Sequence, residues 1–341
     1  MPPKISNYWR LIAMQKMCAL IYAVLPLLLV LIADHSKIGA VTAPPYGPLA
    51  VNGKFLVQKS TKKTVKLHGL SLYWSQWQPR FWVAETVNRI KCGCNSNVVR
   101  AAMGTQRSFG GYVANPAAEY AKMKTIIEAA LDQGIYVIVD WHTGDDLATD
   151  EINYAKEFFT KIAQTYGKHP HIIYEIWNEP LKQTTTWEAV IKPYSKTMVE
   201  LIRKYDKNNV IIVGTPNWDQ DVDIVAKSPL TGYSNIAYTL HFYAGQHNEW
   251  LRTRTKTAYN LGLPMFVTEY GIYSEPKNEA NNLKELALWY KLLDSLTCNV
   301  YPWCDNQQHL QPSLLDHLWE VHLRQAEVSK QRSKLPRLNS V

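Results

Sequence analysis

Asn178 and Glu179 end the run HIIYEIWNEP (171–180), and Glu269 ends the apolar part of MFVTEYG (265–271). Both runs have the length and β-branched content of strands buried on both faces, and both stop at a carboxylate. Pro180 denies a ladder hydrogen bond and biases Glu179 toward an extended conformation, which sets Asn178 and Glu179 at the mouth of whatever the strand belongs to. A lone N-E-P tripeptide is more often an ordinary polar turn, so the second strand with its own terminal Glu is what changes the reading. Two buried strands that each bring one Glu to one rim are what a paired-carboxylate glycosidase needs. One carboxyl is protonated to release the leaving sugar, and the other is ionised to attack the anomeric carbon.

The elements that must position these groups alternate along the chain. Apolar strand-like runs fall at 65–72, 97–103, 135–140, 172–176, 210–213, 236–240 and 265–268, with helical patterns at 117–133, 153–166, 186–204 and 248–261 between them. Seven strands separated by crossover helices predict an α/β fold with a parallel sheet. A poorly defined eighth strand at 298–303 would complete a (β/α)8 TIM barrel in a single domain, a fold whose active sites lie at the carboxyl ends of the strands. The expected strand ends carry Tyr73 and Trp77, Arg100, Asp140 and His142, Asn178 and Glu179, Trp218, His241 and Tyr243, and Glu269. Any one of these reads as readily as structure: a satisfied histidine, a core tryptophan. Their placement together at one end of seven strands is what argues for a site.

Of the 341 residues, 46% are apolar and 19% charged, which suits one large globular domain without extensive disorder. The net charge of +8 is scattered rather than gathered in a patch, so nucleic acid is not an expected partner. Residues 17–33 form a long apolar run preceded by Lys4, Arg10 and Lys16 and followed by small residues near Gly39 to Ala43, the pattern of a secretory signal. A signal anchor is the competing reading, since 17 apolar residues lie at the lower edge of a membrane span. The expected organisation is a leader at 1–43, a catalytic domain at 44–295 and an atypical tail at 296–341, in a secreted, monomeric protein that meets a membrane only through its leader during export. Beyond the leader, Cys92, Cys94, Cys298 and Cys304 permit two disulfides in an exported protein, with no pairing readable.

Taken in order, NVVRAAM (97–103), GIYVIVDWH (134–142), IIYEIWNEP (172–180), YTLHFYAG (238–245) and FVTEYG (266–271) resemble the glycoside hydrolase family 5 endo-β-1,4-glucanases, cellulases of bacteria and some invertebrates, from about residue 47 to 294. The resemblance implies a retaining glycosidase without metal or other cofactor, acting on cellulose and related β-1,4-glucans. Glu179 resembles the acid/base and Glu269 the nucleophile. Asn178, Arg100, His142, His241 and Tyr243 fall on positions used around them. Arg100 and Tyr243 near Glu269 would favour its charged form, whereas Glu179 beside Trp177 and facing a carboxylate would hold its proton more tightly. Trp74, Trp77 and Trp218, read as exposed, would stack on glucose rings. The chain departs from the family at Gly104, where bacterial members often carry Tyr, at Tyr73 in place of a first-strand His, and throughout the tail. There Trp303 is the candidate aromatic platform, although Pro302 is a poor residue for a central strand.

Three readings stay open: the endoglucanase that the resemblance implies or a related xyloglucanase or mannanase, a carbohydrate-binding homologue that has lost turnover, and a metal-dependent barrel hydrolase using Asp140, His142 and His241. The last lacks an H-x-H pair on its first strand.

Overall fold

The computed structural model describes residues 41–143, 149–181, 186–272 and 279–296. Its apolar runs become β3 (Gly69–Ser71), β4 (Val98–Gly104), β5 (Tyr136–His142), β6 (Ile172–Glu175), β7 (Ile211–Val213), β8 (Ile236–Tyr243) and β9 (Met265–Gly271). Each pairs in parallel with the next, in chain order. Between them run α1 (Ala84–Cys94), α2 (Pro116–Gln133), α3 (Ile152–Tyr166), α4 (Lys192–Ile202), α5 (Val222–Lys227) and α6 (Glu249–Asn260), and α7 (Glu279–Ser295) follows β9. This is the architecture of a (β/α)8 barrel. The expected eighth strand at 298–303, with Trp303 and two of the cysteines, lies outside the described residues.

Strand alternation sorts the side chains into two layers. Val99, Ala101, Met103, Val137, Val139 and Trp141 face outward and pack under the helices. Val98, Ile138, Ile173, Ile212, Ala237 and Phe266 face inward, where Leu49 and Leu56 join them. Those two residues belong to an antiparallel hairpin, β1 (Leu49–Asn52) and β2 (Phe55–Gln58). Its two-residue turn is Gly53–Lys54, with Gly53 at a φ of 57°, a hairpin signal between two short apolar runs that lie ahead of the first strand read from the sequence. Each such aliphatic side chain, fully buried, contributes about 1.5–3 kcal/mol. Farther along the same strands the inward positions turn polar: Arg100 on β4, Asp140 and His142 on β5, Glu175 on β6, His241 and Tyr243 on β8. One end of the barrel is therefore filled with hydrocarbon, and the other with charge.

Several boundaries differ from expectation for identifiable reasons. The first barrel strand occupies only 69–71 of the expected 65–72, because Val65 and Leu67 turn in to the hairpin cluster instead of continuing a ladder. β8 and β9 run on to Tyr243 and Gly271, since the pairs His241↔Glu269 and Tyr243↔Gly271 extend the ladder through the residues expected beyond it. The helix expected at 186–204 begins as a wider π-helical turn over Trp187–Ile191, and Pro193, which has no N–H to donate, sits in the first turn of α4.

Candidate active site

Arg100 sits at the centre of the charged end of the barrel. It is buried, and all of its donors are used. Nε and Nη2 reach Glu175 at 2.7 and 3.2 Å, and Nη2 also meets Asn178 Oδ1 at 2.7 Å and Asp140 Oδ2 at 2.9 Å. Nη1 donates to Ser71 Oγ at 3.3 Å and to Glu269 Oε2 at 3.0 Å. One guanidinium thus faces three carboxylates, and their protonation separates according to surroundings. Burial pushes Asp140 up to about 7 against the pull of Arg100, and burial raises Glu175 as well. Burial also opposes charge on Glu269, but His241, Arg100 and the hydrogen bond donated by the Tyr243 hydroxyl outweigh it and hold this carboxyl well below the usual range. Glu269 is the member of the set that stays ionised.

A β-bulge aims Glu269 into the barrel. Thr239 pairs with Phe266 but His241 pairs with Glu269, so β9 spends three residues where β8 spends two. Regular alternation from the inward Phe266 would send Glu269 outward with Val267. The extra residue lets Thr268 and Glu269 both face in, and Tyr270 returns outward to stack on Phe242 at 5.0 Å.

Glu179 arrives on a loop. Its approach depends on Gly214 at the end of β7, where a Cβ would lie 2.5 Å from the Trp177 carbonyl oxygen and 3.0 Å from Pro180 Cδ. Its carboxylate Oε1 lies 2.9 Å from His241 Nδ1. His241 Nε2 lies 2.8 Å from Thr268 Oγ1, whose hydroxyl donates to Glu175 Oε1 at 2.7 Å. With that hydroxyl proton committed, the Thr268 oxygen accepts, and Nε2 is the nitrogen that carries hydrogen. Burial disfavours a charged His241, but Asp219, then Glu179 and Glu269, push it up to about 9. Burial drives His142 the other way, down to about 3, so it is a neutral ring whose Nδ1–H donates to Asp140 Oδ2 at 2.6 Å.

One oxygen of Glu179, one of Glu269 and a ring nitrogen of His241 lie within 4.8 Å of one another. That spacing would admit a cation, but the donors argue against one. Glu269 is already held by Arg100 and Tyr243, Glu179 by His241, and the Arg100 charge repels a second positive centre.

Of the residues singled out from sequence, Arg100, His142, Asn178, Glu179, His241, Tyr243 and Glu269 meet in this one cluster. Tyr73, burial pushing its hydroxyl up to about 12, lies beside it, with its ring 5.9 Å from Trp77. Trp218 is 41% exposed. Trp74 is not exposed as expected: it is buried, stacked on Trp77 at 4.8 Å and edge-on to His142 at 4.3 Å, so it holds the aromatic wall rather than forming its surface. Trp177 likewise turns away from Glu179 and packs on Tyr194 under the helices, which leaves His241 as the group that sets the surroundings of Glu179. At Gly104 the missing side chain is replaced by Gln76, which a Cβ would strike. Trp303 lies outside the described residues. Sequence reasoning passed over Glu175, Thr268 and Asp219. Glu175 alone carried a signal, being a charge inside a strand otherwise buried on both faces.

A family model described as cellulase (glycosyl hydrolase family 5) matches residues 57–309. Endoglucanase Z of Dickeya dadantii is 39% identical over 265 residues, covering 77% of this chain and 60% of that protein. An endoglucanase of Clostridium saccharobutylicum is 39% identical over 292 residues, 85% of this chain and 64% of that one. The chain spans about three fifths of the length of these two curated relatives. A solved structure from Cytophaga hutchinsonii matches with a TM-score of 0.70 at 41% identity over 75% of this chain and 81% of that one. The catalytic domain of Thermobifida fusca endoglucanase Cel5A matches with a TM-score of 0.69 at 29% identity, covering 77% and 87%. A form of that domain has been solved with cellotetraose bound. With the family model matched along most of its length on a barrel of this kind, the chain belongs to glycosyl hydrolase family 5.

Proposed function

We propose that the chain is an exported, retaining endo-β-1,4-glucanase that hydrolyses internal β-1,4-glucosidic bonds of cellulose and related β-glucans. The observation that carries this reading is the approach of Glu179 and Glu269 to within 4.8 Å, with the second held ionised. Direct attack needs carboxyl groups about 5–5.5 Å apart, and a separation of roughly 6.5–9.5 Å would leave room for an intervening water.

Glu269 attacks the anomeric carbon while Glu179 protonates the departing sugar oxygen, which gives a glycosyl-enzyme ester. Water, deprotonated by Glu179, then displaces Glu269 and restores both groups. Asn178 contributes orientation: its Oδ1 is turned to Arg100, which can only donate, so its amide hydrogens face the other way, toward a sugar 2-hydroxyl. The names of the endoglucanase relatives and the cellotetraose complex of the Thermobifida fusca domain support a β-1,4-glucan as substrate. Export rests on the apolar run at 17–33. Recovering secreted protein whose amino terminus lies between residues 38 and 51 is the expected result, and full-length protein in the membrane fraction would count against it.

The test is stereochemical. Two displacements give net retention, so proton NMR of fresh product is expected to show the β-anomer first. A fluorinated mechanism-based glycoside is expected to label Glu269. The α-anomer appearing first would mean a single water-mediated displacement, and binding of carboxymethyl cellulose without release of reducing ends would remove the enzyme reading altogether.

A further inference from the structure

Four side chains contact or face the His241 ring through oxygen, and the acid/base role given to Glu179 uses only one of them. Thr268 and, behind it, Glu175 fix the hydrogen on Nε2. At Nδ1, Glu179 Oε1 lies at 2.9 Å and Asp219 Oδ2 at 3.4 Å, so two carboxylates compete for one nitrogen. Asp219 is fully buried. Its Oδ1 accepts the Thr215 N–H at 2.5 Å, and its Oδ2 has no hydrogen-bond partner among the described residues. A buried carboxylate oxygen without a donor costs about 1–3 kcal/mol or more, which stability alone would not retain.

The backbone that delivers Asp219 is strained as well. Asn217, Trp218 and Asp219 have φ of 62, 55 and 59°, three consecutive non-glycine residues in the left-handed region, at about 1–2 kcal/mol each. This turn puts Asp219 inside and Trp218 outside, and the Trp218 N–H donates to the Pro180 carbonyl at 3.0 Å, so the same turn braces the loop that carries Glu179. Strain of this kind collects where function holds it.

We propose that Asp219 is a positioning residue for the acid/base step, acting through His241 as a proton reserve: its Oδ2 supplies the proton at Nδ1 when Glu179 gives its own away, and takes it back when Glu179 is reprotonated. The inference rests on the acid/base reading of Glu179. At rest Nδ1 and Asp219 Oδ2 each hold a proton, and Glu179 accepts from Nδ1. As Glu179 forms the O–H of the leaving sugar, the Nδ1 N–H breaks toward Glu179 and the Asp219 O–H breaks to renew the N–H at Nδ1, leaving an imidazolium between two carboxylates. In the second half, Glu179 takes a proton from the attacking water and passes it to Nδ1, whose own proton goes back to Oδ2. Burial, which pushes Asp219 well above the usual carboxylate range against the pull of His241, suits a group that starts protonated.

The other charged or titratable groups facing His241 are Glu175, 3.9 Å from Nε2, Glu269 on the paired strand, and His247 and Tyr243 at the end of β8, both neutral: burial pushes His247 down to about 4 and Tyr243 well up. Behind Glu175 stand Arg100 and Asp140. None of them changes in the test.

Asp219→Asn keeps the acceptor for the Thr215 N–H and removes the titrating oxygen. Asn cannot ionise, so it never supplies the negative charge that holds the Nδ1 proton once Asp219 has given up its own, and the alkaline limb of kcat/KM on cello-oligosaccharides is expected to move down by about one pH unit. On those substrates kcat/KM is expected to fall roughly tenfold, while kcat/KM on a dinitrophenyl cellobioside, whose leaving group needs no proton, stays near the parent value. Equal losses on both substrates would assign Asp219 a structural role and overturn the proposal, as would a pH profile and rates that superimpose on the parent's. Should the Asn variant not fold, Asp219→Ser, whose hydroxyl still accepts from Thr215, undergoes the same comparison. Glu179→Gln run alongside separates the two failures: if it cleaves oligosaccharides normally the acid/base reading is at fault, and if it does not, only the role of Asp219 is.

Discussion

Glu269 and Glu179 lie within 4.8 Å of each other, yet the molecule holds them by different means. Glu269 belongs to a strand. The β9 bulge sets its direction, and Arg100 and Tyr243, neither of which changes protonation near neutral pH, both donate to it. Glu179 belongs to a loop, and its partner is a histidine that itself titrates, backed by a buried carboxylate on a left-handed turn. A group that only has to be an anion is built into the ladder and clamped. A group that has to give up a proton and recover it within one turnover is placed among other proton carriers.

The largest effect expected from breaking this contrast is at the clamped side. Glu269→Gln removes the nucleophile and leaves the Arg100 and Tyr243 donors facing a neutral amide, so turnover of every substrate should fall by roughly 10^4-fold or more, whatever the leaving group. Substantial turnover of a dinitrophenyl cellobioside by this variant would refute the assignment. Glu179→Gln should separate the substrates instead. Polymer hydrolysis should drop by about 10²- to 10⁴-fold with binding nearly intact, while the activated glycoside still forms the glycosyl-enzyme, and azide should restore its breakdown by attacking without need of a base. A β-glycosyl azide product is the quantity to measure.

The pH dependence should follow the titrating side. The charged neighbours push His241 up to about 9, so the Nδ1 proton that faces Glu179 is kept to that point, and kcat/KM should fall about tenfold per pH unit above it. Because Glu269 is held below the usual carboxylate range, its protonation should limit activity only in strong acid. The His241 proton also contributes to folding. Its value in the folded state exceeds the ordinary 6.5, so its contribution of up to about 3 kcal/mol is complete below pH 6.5 and is lost as pH rises through about 9. Tm should decline across that window and decline less in His241→Gln.

The reacting groups on both sides of the site were legible in the chain, and much of what aims and backs them was not. The apolar runs gave the strands, and carboxylates where those runs stop gave Glu179 and Glu269, because burial and alternation act on neighbouring residues. The bulge that turns Thr268 and Glu269 to the same side is a register event between two strands, and neither strand marks it locally. Glu175 stood in plain view as a charge within a buried strand, but its partner, Arg100, is 75 positions away. Asp219 follows two residues with no glycine to mark a left-handed turn, so nothing in N-W-D announced that the carboxylate goes inside and the indole outside. Trp74 and Trp77 are chemically alike in the sequence, and only packing against His142 buries one of them.

The smallest expected effect sharpens the comparison at its edge. Trp218 is 41% exposed on the turn that braces Glu179, and the brace is its backbone N–H to the Pro180 carbonyl, not its side chain. Trp218→Ala therefore keeps the hydrogen bond and removes only an indole face. A glucose ring covering about 40 Å² of that face would contribute about 1 kcal/mol, or roughly a fivefold change in KM. The expected outcome is a higher KM for cello-oligosaccharides long enough to reach the turn, an unchanged KM for the shortest ones and an unchanged kcat for all. If kcat fell with KM, the indole would be holding the strained turn itself, and Glu179 would depend on a side chain at the surface as well as on the buried Asp219.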